Sequence, residues 1–144
     1  MSLLSKIPIY DLPQGSIKKL DGSTNNKFWI LQSDSEANES ALQTFLEKIL
    51  QAIDLDPNKN LCLFSLSPDE DSSLSSLLET VTTPKTIIIF GLSPGNLGMS
   101  TRFLPYHLFK LKGNTFLLCD ELRSIQSDSN KKRDLWDSLQ KVKG

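Results

Sequence analysis

A glycine-rich segment that follows a hydrophobic run is the part of this sequence best suited to binding a ligand. Residues 87–98 read Ile-Ile-Ile-Phe-Gly-Leu-Ser-Pro-Gly-Asn-Leu-Gly. In α/β proteins, ligands bind at the carboxyl ends of strands, and glycines let backbone amides approach an anion closely. The candidate ligand loop therefore consists of Gly91, Ser93, Pro94, Gly95, Asn96 and Gly98. Its spacing fits neither G-x-x-x-x-G-K-[ST] nor G-x-G-x-x-G, so a plain Pro-Gly turn leaving a central strand is the competing interpretation.

The other reactive residue types form no catalytic or metal-binding pattern. Cys62 and Cys119 lie in apolar stretches, which is typical of inert core thiols. The single histidine, His107, lies in a predicted strand, and one histidine with two cysteines makes a tetrahedral zinc site improbable. The carboxylates at 69–71 lie in a Ser-rich stretch that indicates a solvated loop. We therefore predict no catalytic residue, no metal and no cofactor.

Charge is distributed unevenly along the 144 residues, although the net charge is only −1. Residues 34–80 carry two basic and ten acidic side chains, whereas residues 81–144 carry ten basic and five acidic ones. Such a split is expected either for two partner surfaces of opposite sign or for ordinary solvated faces. A net charge near zero argues against binding nucleic acid mainly by bulk attraction.

The chain is predicted to be a soluble, reduced, cytoplasmic protein. No apolar run approaches the ~18 residues of a membrane span, and the first residues, Met-Ser-Leu-Leu-Ser-Lys, lack the profile of a signal peptide. A length of 144 residues predicts a single domain, 1–144, in which residues 1–16, with two prolines, form an extended N-terminal arm.

Strands and helices are predicted to alternate. Apolar runs predict strands at 27–31, 61–66 and 85–90, and Gly113 and Asn114 favour a hairpin between 106–111 and 115–118. Helical periodicity predicts helices at 34–53, at 73–81 and from Asp128 or Ser129 onward, with both tryptophans, Trp29 and Trp136, in the core. This order predicts a three-layer α/β/α sandwich around a mostly parallel central sheet of four to five strands.

The segment beginning at residue 87 resembles the first motif of the uracil-DNA glycosylases, a hydrophobic strand followed by a Gly-x-Asn-Pro-Gly or Gly-x-Asp-Pro turn. In that family the Asn or Asp handles the attacking water, and Ser93 occupies the matching position here. The family's His-Pro-Ser motif has no counterpart. The resemblance implies a uracil-DNA glycosylase-like fold without that chemistry. The alternative is a divergent nucleobase glycosylase or a nucleotide-binding protein that uses the loop at 91–98.

The last 55 residues or so resemble the psi subunit of bacterial DNA polymerase III. The similarity includes the segment at 116–122 and, in the final helix, Leu135-Trp136 followed by Gln140. It implies a non-enzymatic accessory protein of DNA replication that bridges a clamp-loader subunit and a chi-type subunit by protein–protein contacts. In that family a flexible N-terminal peptide contacts the clamp loader, a role open to residues 1–16. Direct contact with nucleic acid stays open.

Overall fold

A six-stranded sheet with helices packed against it forms the described part of the chain. The computed structural model describes residues 17–67, 78, 81, 83–92 and 104–143. The strands are β1 Lys18–Gly22, β2 Phe28–Ser33, β3 Leu61–Leu66, β4 Thr86–Phe90, β5 Leu108–Leu111 and β6 Asn114–Cys119. The helices are α1 Asp34–Ala37, α2 Ser40–Ala52, α3 Leu122–Gln126 and α4 Ser129–Lys143. The predicted arm at 1–16 lies outside the described residues, as does most of the predicted helix at 73–81, of which Leu78 is described and helical.

The sheet is mixed, with the order β1-β3-β2-β4-β6-β5. The inner strands β3, β2, β4 and β6 are parallel, whereas β1 pairs antiparallel with β3 and β5 pairs antiparallel with β6. The prediction of a mostly parallel sheet of four to five strands is therefore wrong. The missed strand, β1, reads Lys-Lys-Leu-Asp-Gly and is exposed along nearly its whole length. β1 joins the sheet through backbone hydrogen bonds and buries little side-chain surface. Its sequence therefore has no alternation of apolar and polar residues.

The chain reverses its direction of travel across the sheet at β2. It passes from β2 to β3 on one side and then crosses back over β2 to β4 on the other. Right-handed crossovers place successive connections on opposite faces when the direction reverses. Leu78 and Val81, from the β3–β4 connection, accordingly pack against one face, while α2, α3 and α4 pack against the other.

Side chains alternate between these two faces along each strand, which divides the core. The helix-covered face receives Phe28, Ile30, Ile88, Phe90 and Leu117. The opposite face receives Trp29, Leu31, Ile87, Ile89 and Phe116. Every residue of β2 and β4 is buried, as expected for strands in the middle of a parallel arrangement.

The predicted helix at 34–53 is two helices. Ser33 caps α1, its hydroxyl accepting the amide of Glu36 at 3.4 Å, and α1 ends at Asn38 before α2 begins. Asparagine competes with the helical backbone for hydrogen bonds and so favours an end at this point. The predicted apolar face of α2 is confirmed, because Leu42, Leu46 and Leu50 are all buried.

The C-terminal helix begins as predicted, since Asp128 accepts the backbone amides of Asn130 at 2.9 Å and Lys131 at 3.3 Å. Its residues Leu135 and Leu139 are buried. Trp29 lies in the core as predicted, but Trp136 is 42% exposed. The prediction for Trp136 is wrong because the residue after Leu135 is turned about 100° around the helix axis, to the flank of the buried stripe.

Candidate functional site

The carboxyl ends of β2 and β4 flank the point where the strand order reverses, the place where open α/β sheets bind ligands. Gly91 follows β4 here and has a positive φ of 71°. Its amide donates to Cys119 O at 3.1 Å, and a Cβ at Gly91 would lie 2.7 Å from Glu121 Cβ. Gly91 therefore allows close packing onto the end of β6. Because its amide is already bonded to Cys119, it is not free to bind a ligand.

Gly91 is the one residue of the candidate ligand loop whose position is described. Ser93, Pro94, Gly95, Asn96 and Gly98 lie outside the described residues. Their role stays a prediction.

A buried carboxylate, Glu36, occupies the crevice beside the end of β2. It is 1% exposed, and its two oxygens accept the backbone amides of Leu122 at 2.8 Å and Arg123 at 2.9 Å. These amides begin α3, whose N-cap residue Glu121 makes no side-chain cap bond. Free amides at a helix start attract anions. Here the chain's own carboxylate fills that position, which sequence reasoning missed.

Two glutamines complete the polar structure around Glu36. The side-chain amides of Gln32 and Gln43 donate to each other's Oε1, at 3.2 and 2.7 Å. Gln43 Nε2 also lies 3.1 Å from Glu36 O. Gln32 is fully buried in β2, so these bonds satisfy polar groups that would otherwise be costly to bury. The end of β2 is thus paired internally.

An open groove of about 450 Å³ lies between the ends of β4 and β6. Its polar lining includes Asp120, Glu121 and Ser124. Tyr106 donates its hydroxyl to Asp120 Oδ2 at 2.7 Å, and Lys131 Nζ lies 3.9 Å from the same oxygen. Burial, and then the bond to Asp120, raises the pKa of Tyr106. With two carboxylates at its wall, the groove is poorly suited to a phosphate.

The thiols and the histidine do not assemble into a nucleophile and base. Both cysteines are buried in strands as predicted. Burial raises the pKa of Cys62 to about 11, and burial followed by the nearby Asp120 raises that of Cys119. His107 lies in a turn before β5 and is exposed, so its predicted place in a strand is wrong. Its Nδ1 lies 2.9 Å from Pro105 O.

At the opposite end of the strands, Lys85 is a buried cation that the sequence did not single out. It is 2% exposed. Its Nζ donates to Asn26 O at 2.9 Å and lies 5.7 Å from the centroid of the Trp29 ring. Burial lowers its pKa. These contacts join the amino ends of β2 and β4 and explain the lysine as a structural residue.

A second concave surface, the α2–α4 groove, lies between two helices. It has a volume of about 250 Å³ and is lined by Phe45, Ile49, Lys132, Leu135 and Trp136. Lys132 Nζ lies 5.9 Å from the centroid of the Phe45 ring. A partly exposed tryptophan beside an apolar groove is typical of protein–protein contact surfaces.

Within the described ranges, no group of three or more His, Cys, Asp or Glu side chains is arranged to hold a metal ion. None of the helices in the described part of the chain is long and apolar enough to cross a membrane.

Comparison of the sequence with models of known families and with curated proteins finds no match.

Proposed function

We propose that this chain is a non-enzymatic interaction module, a psi-like accessory protein of the bacterial, cytoplasmic replication machinery. In this function it bridges a clamp-loader subunit and a chi-type subunit by protein–protein contacts. The observation that carries the proposal is the α2–α4 groove with its 42% exposed Trp136. The same tryptophan belongs to the Leu135-Trp136 pair on which the psi resemblance rests.

The energy available at this groove is sufficient for a central contact. A tryptophan side chain has a surface of roughly 250 Å². Covering the 42% of Trp136 that is exposed removes about 100 Å² from water, which contributes about 2.5 kcal/mol. This energy is comparable to the loss of binding free energy when a dominant residue of a known interface is replaced by alanine.

The crevice at the strand ends also supports a non-enzymatic role, because its described backbone amides are already bonded within the protein. Glu36 occupies the start of α3, and the amide of Gly91 is bonded to Cys119. An anion that bound to any of these described amides would have to displace the oxygen already bonded to it. Leu78 and Val81, which pack on the sheet face opposite α2, further support a three-layer, uracil-DNA glycosylase-like arrangement as part of this proposal.

The test is gel filtration of the purified full chain with the clamp-loader subunit and the chi-type subunit of its own organism at micromolar concentrations. We expect a complex. Trp136→Ala should weaken it by about 2 kcal/mol, or roughly 30-fold. Leu20→Ala is the matched control, because Leu20 is 46% exposed on β1, and it should leave the complex unchanged. Separate elution of the wild-type proteins would refute the proposed partners.

A further inference from the structure

We infer that the α2–α4 groove receives an amphipathic helix from another protein, and that acidic residues flank the apolar face of that helix. The inference rests on the proposed function only in treating this groove as a docking surface. It adds the shape and the charge of the partner.

The shape of the groove suits a helix. Its lining residues span one turn of α2 and one turn of α4, so each wall is about 6 Å long. Phe45 and Ile49 are one turn apart on α2 and form one wall. Leu135, 2% exposed, forms the floor, and Trp136 forms the other wall. An apolar channel between two helices matches helix-in-groove recognition, in which apolar residues spaced by one turn enter the channel.

The rim of the groove is basic. Lys132 lines it directly. Lys48 lies three residues after Phe45 and is exposed, so it flanks the same wall of α2. Arg133, also exposed, lies three residues before Trp136 and flanks the wall of α4. Lys132 therefore lies in the wall of the groove, and Lys48 and Arg133 lie on the adjoining helix faces.

The acidic residues of the two helices lie elsewhere. Glu47 lines a separate pocket with Asp21 and Leu50. Asp137 is turned about 100° away from Trp136 around α4, and Asp134 about 160°. Over its whole length α4 carries five basic and two acidic side chains. Lys132 is the one charged side chain that lines the groove, and a carboxylate beside the apolar face of a partner would meet it.

The same charges argue against two other occupants. A second copy of this chain that paired groove to groove about a two-fold axis would bring two basic rims together, which repel. A nucleic acid strand would leave the aliphatic lining of Ile49 and Leu135 uncovered by matching apolar surface, and it uses several aromatic platforms in succession. The groove presents Trp136 with Phe45, and Lys132 already lies over the Phe45 ring.

The experiment uses three synthetic helical peptides that share one leucine face and differ only beside it, where they carry glutamate, glutamine or lysine. Binding of each fluorescent peptide to the full chain is measured by anisotropy. We expect the glutamate peptide to bind at least about tenfold more tightly than the glutamine peptide, and the lysine peptide to bind least. The preference should shrink as salt is added, because exposed charges are screened.

Variants locate the binding. Lys132→Glu should weaken the glutamate peptide by about tenfold and remove its advantage over the glutamine peptide. Lys110→Glu, the same charge reversal at an exposed lysine of β5, is the matched control and should have no effect. Trp136→Ala should weaken all three peptides, whereas Leu20→Ala should weaken none. A thermal melt of each variant verifies folding, and Lys132→Glu tests the charge with a substitution confined to the surface.

Three results would overturn the inference: equal affinity for all three peptides, no loss with Trp136→Ala, or binding of labelled single-stranded DNA that is tighter than that of the glutamate peptide and is lost in Trp136→Ala. The third would reassign the groove to nucleic acid. Failure of the proposed function alone gives a different set of results. The preference for the glutamate peptide would be observed, but the clamp-loader and chi-type subunits would elute separately from this chain. If the subunits bind and Lys132→Glu has no effect on either assay, the function stands and the acidic partner is wrong.

Discussion

The substitution Glu36→Gln tests whether the buried carboxylate holds α3 against the end of β2. In the wild type, two oxygens accept two backbone amides, at 2.8 and 2.9 Å. Glutamine keeps one acceptor oxygen, and its NH₂ group then faces an amide that also donates. One charge-assisted bond, worth about 1.5–3 kcal/mol, is lost, and one buried amide is left without an acceptor at a cost of about 1–3 kcal/mol. The energy of the lost bond and the cost of the unpaired amide partly describe the same contact, so they do not add in full. We therefore expect a loss of about 2–4 kcal/mol in the free energy of unfolding.

Urea unfolding followed by circular dichroism measures this loss, with the slope m expected to stay unchanged. Glu39→Gln is the matched control, because Glu39 lies one turn away and pairs with Arg123 of the same helix α3, but at the surface. An exposed pair contributes about 0–1 kcal/mol, so this variant should stay within about 1 kcal/mol of the wild type. If Glu36→Gln is no more destabilising than Glu39→Gln, Glu36 does not anchor α3, and the crevice must be reconsidered as a site for a ligand.

Three further predictions concern the crevice and the thiols. Gly91→Ala should destabilise the protein by about 1–3 kcal/mol more than Gly113→Ala in urea unfolding, because both glycines have positive φ but only Gly91 would press a Cβ against Glu121; equal losses would contradict the close packing. The pKa of Cys62 is raised from 9.0 to about 11 in the folded protein, so its contribution to stability is complete below pH 9 and falls as the pH rises from about 9 to 11. Cys62→Ala should lose this part of the pH dependence of unfolding, and an unchanged profile would refute it. Nucleotides should leave the melting temperature unchanged and uracil-containing duplexes should release no base; either effect would favour the alternative function.

Periodicity and apolar runs predicted the elements in which burial dominates. The run 61–66 became β3 with the same bounds, and the glycine at 113 marked the turn between β5 and β6. Trp136 was misplaced because apolar residue type alone does not distinguish the centre of a buried stripe from its flank. At that flank, an exposed indole does not destabilise the helix, and it is available to contact a partner protein.

The polar part of the crevice was not predictable from local sequence. Glu36 and the amide of Leu122 are separated by 86 residues, and no pattern around Glu36 indicates that distant contact. The available signal was indirect, since the segment before Leu122 offers no Ser, Thr, Asn or Asp at the N-cap position, Glu121. A helix start without a local cap needs an acceptor from elsewhere, and a carboxylate just after a buried strand can supply it.

The crevice at the strand ends and the α2–α4 groove differ in what a ligand would have to displace. At the strand ends, an anion would compete with Glu36 for the amides of α3 and would lie near Asp120 and Glu121. The displaced carboxylate would then be buried without partners, which costs several kcal/mol. In the α2–α4 groove, a partner displaces water and the contact of Lys132 with the Phe45 ring, and covering Trp136 alone contributes about 2.5 kcal/mol. Binding is therefore favoured at the groove, whose two helices both pack against the same face of the sheet.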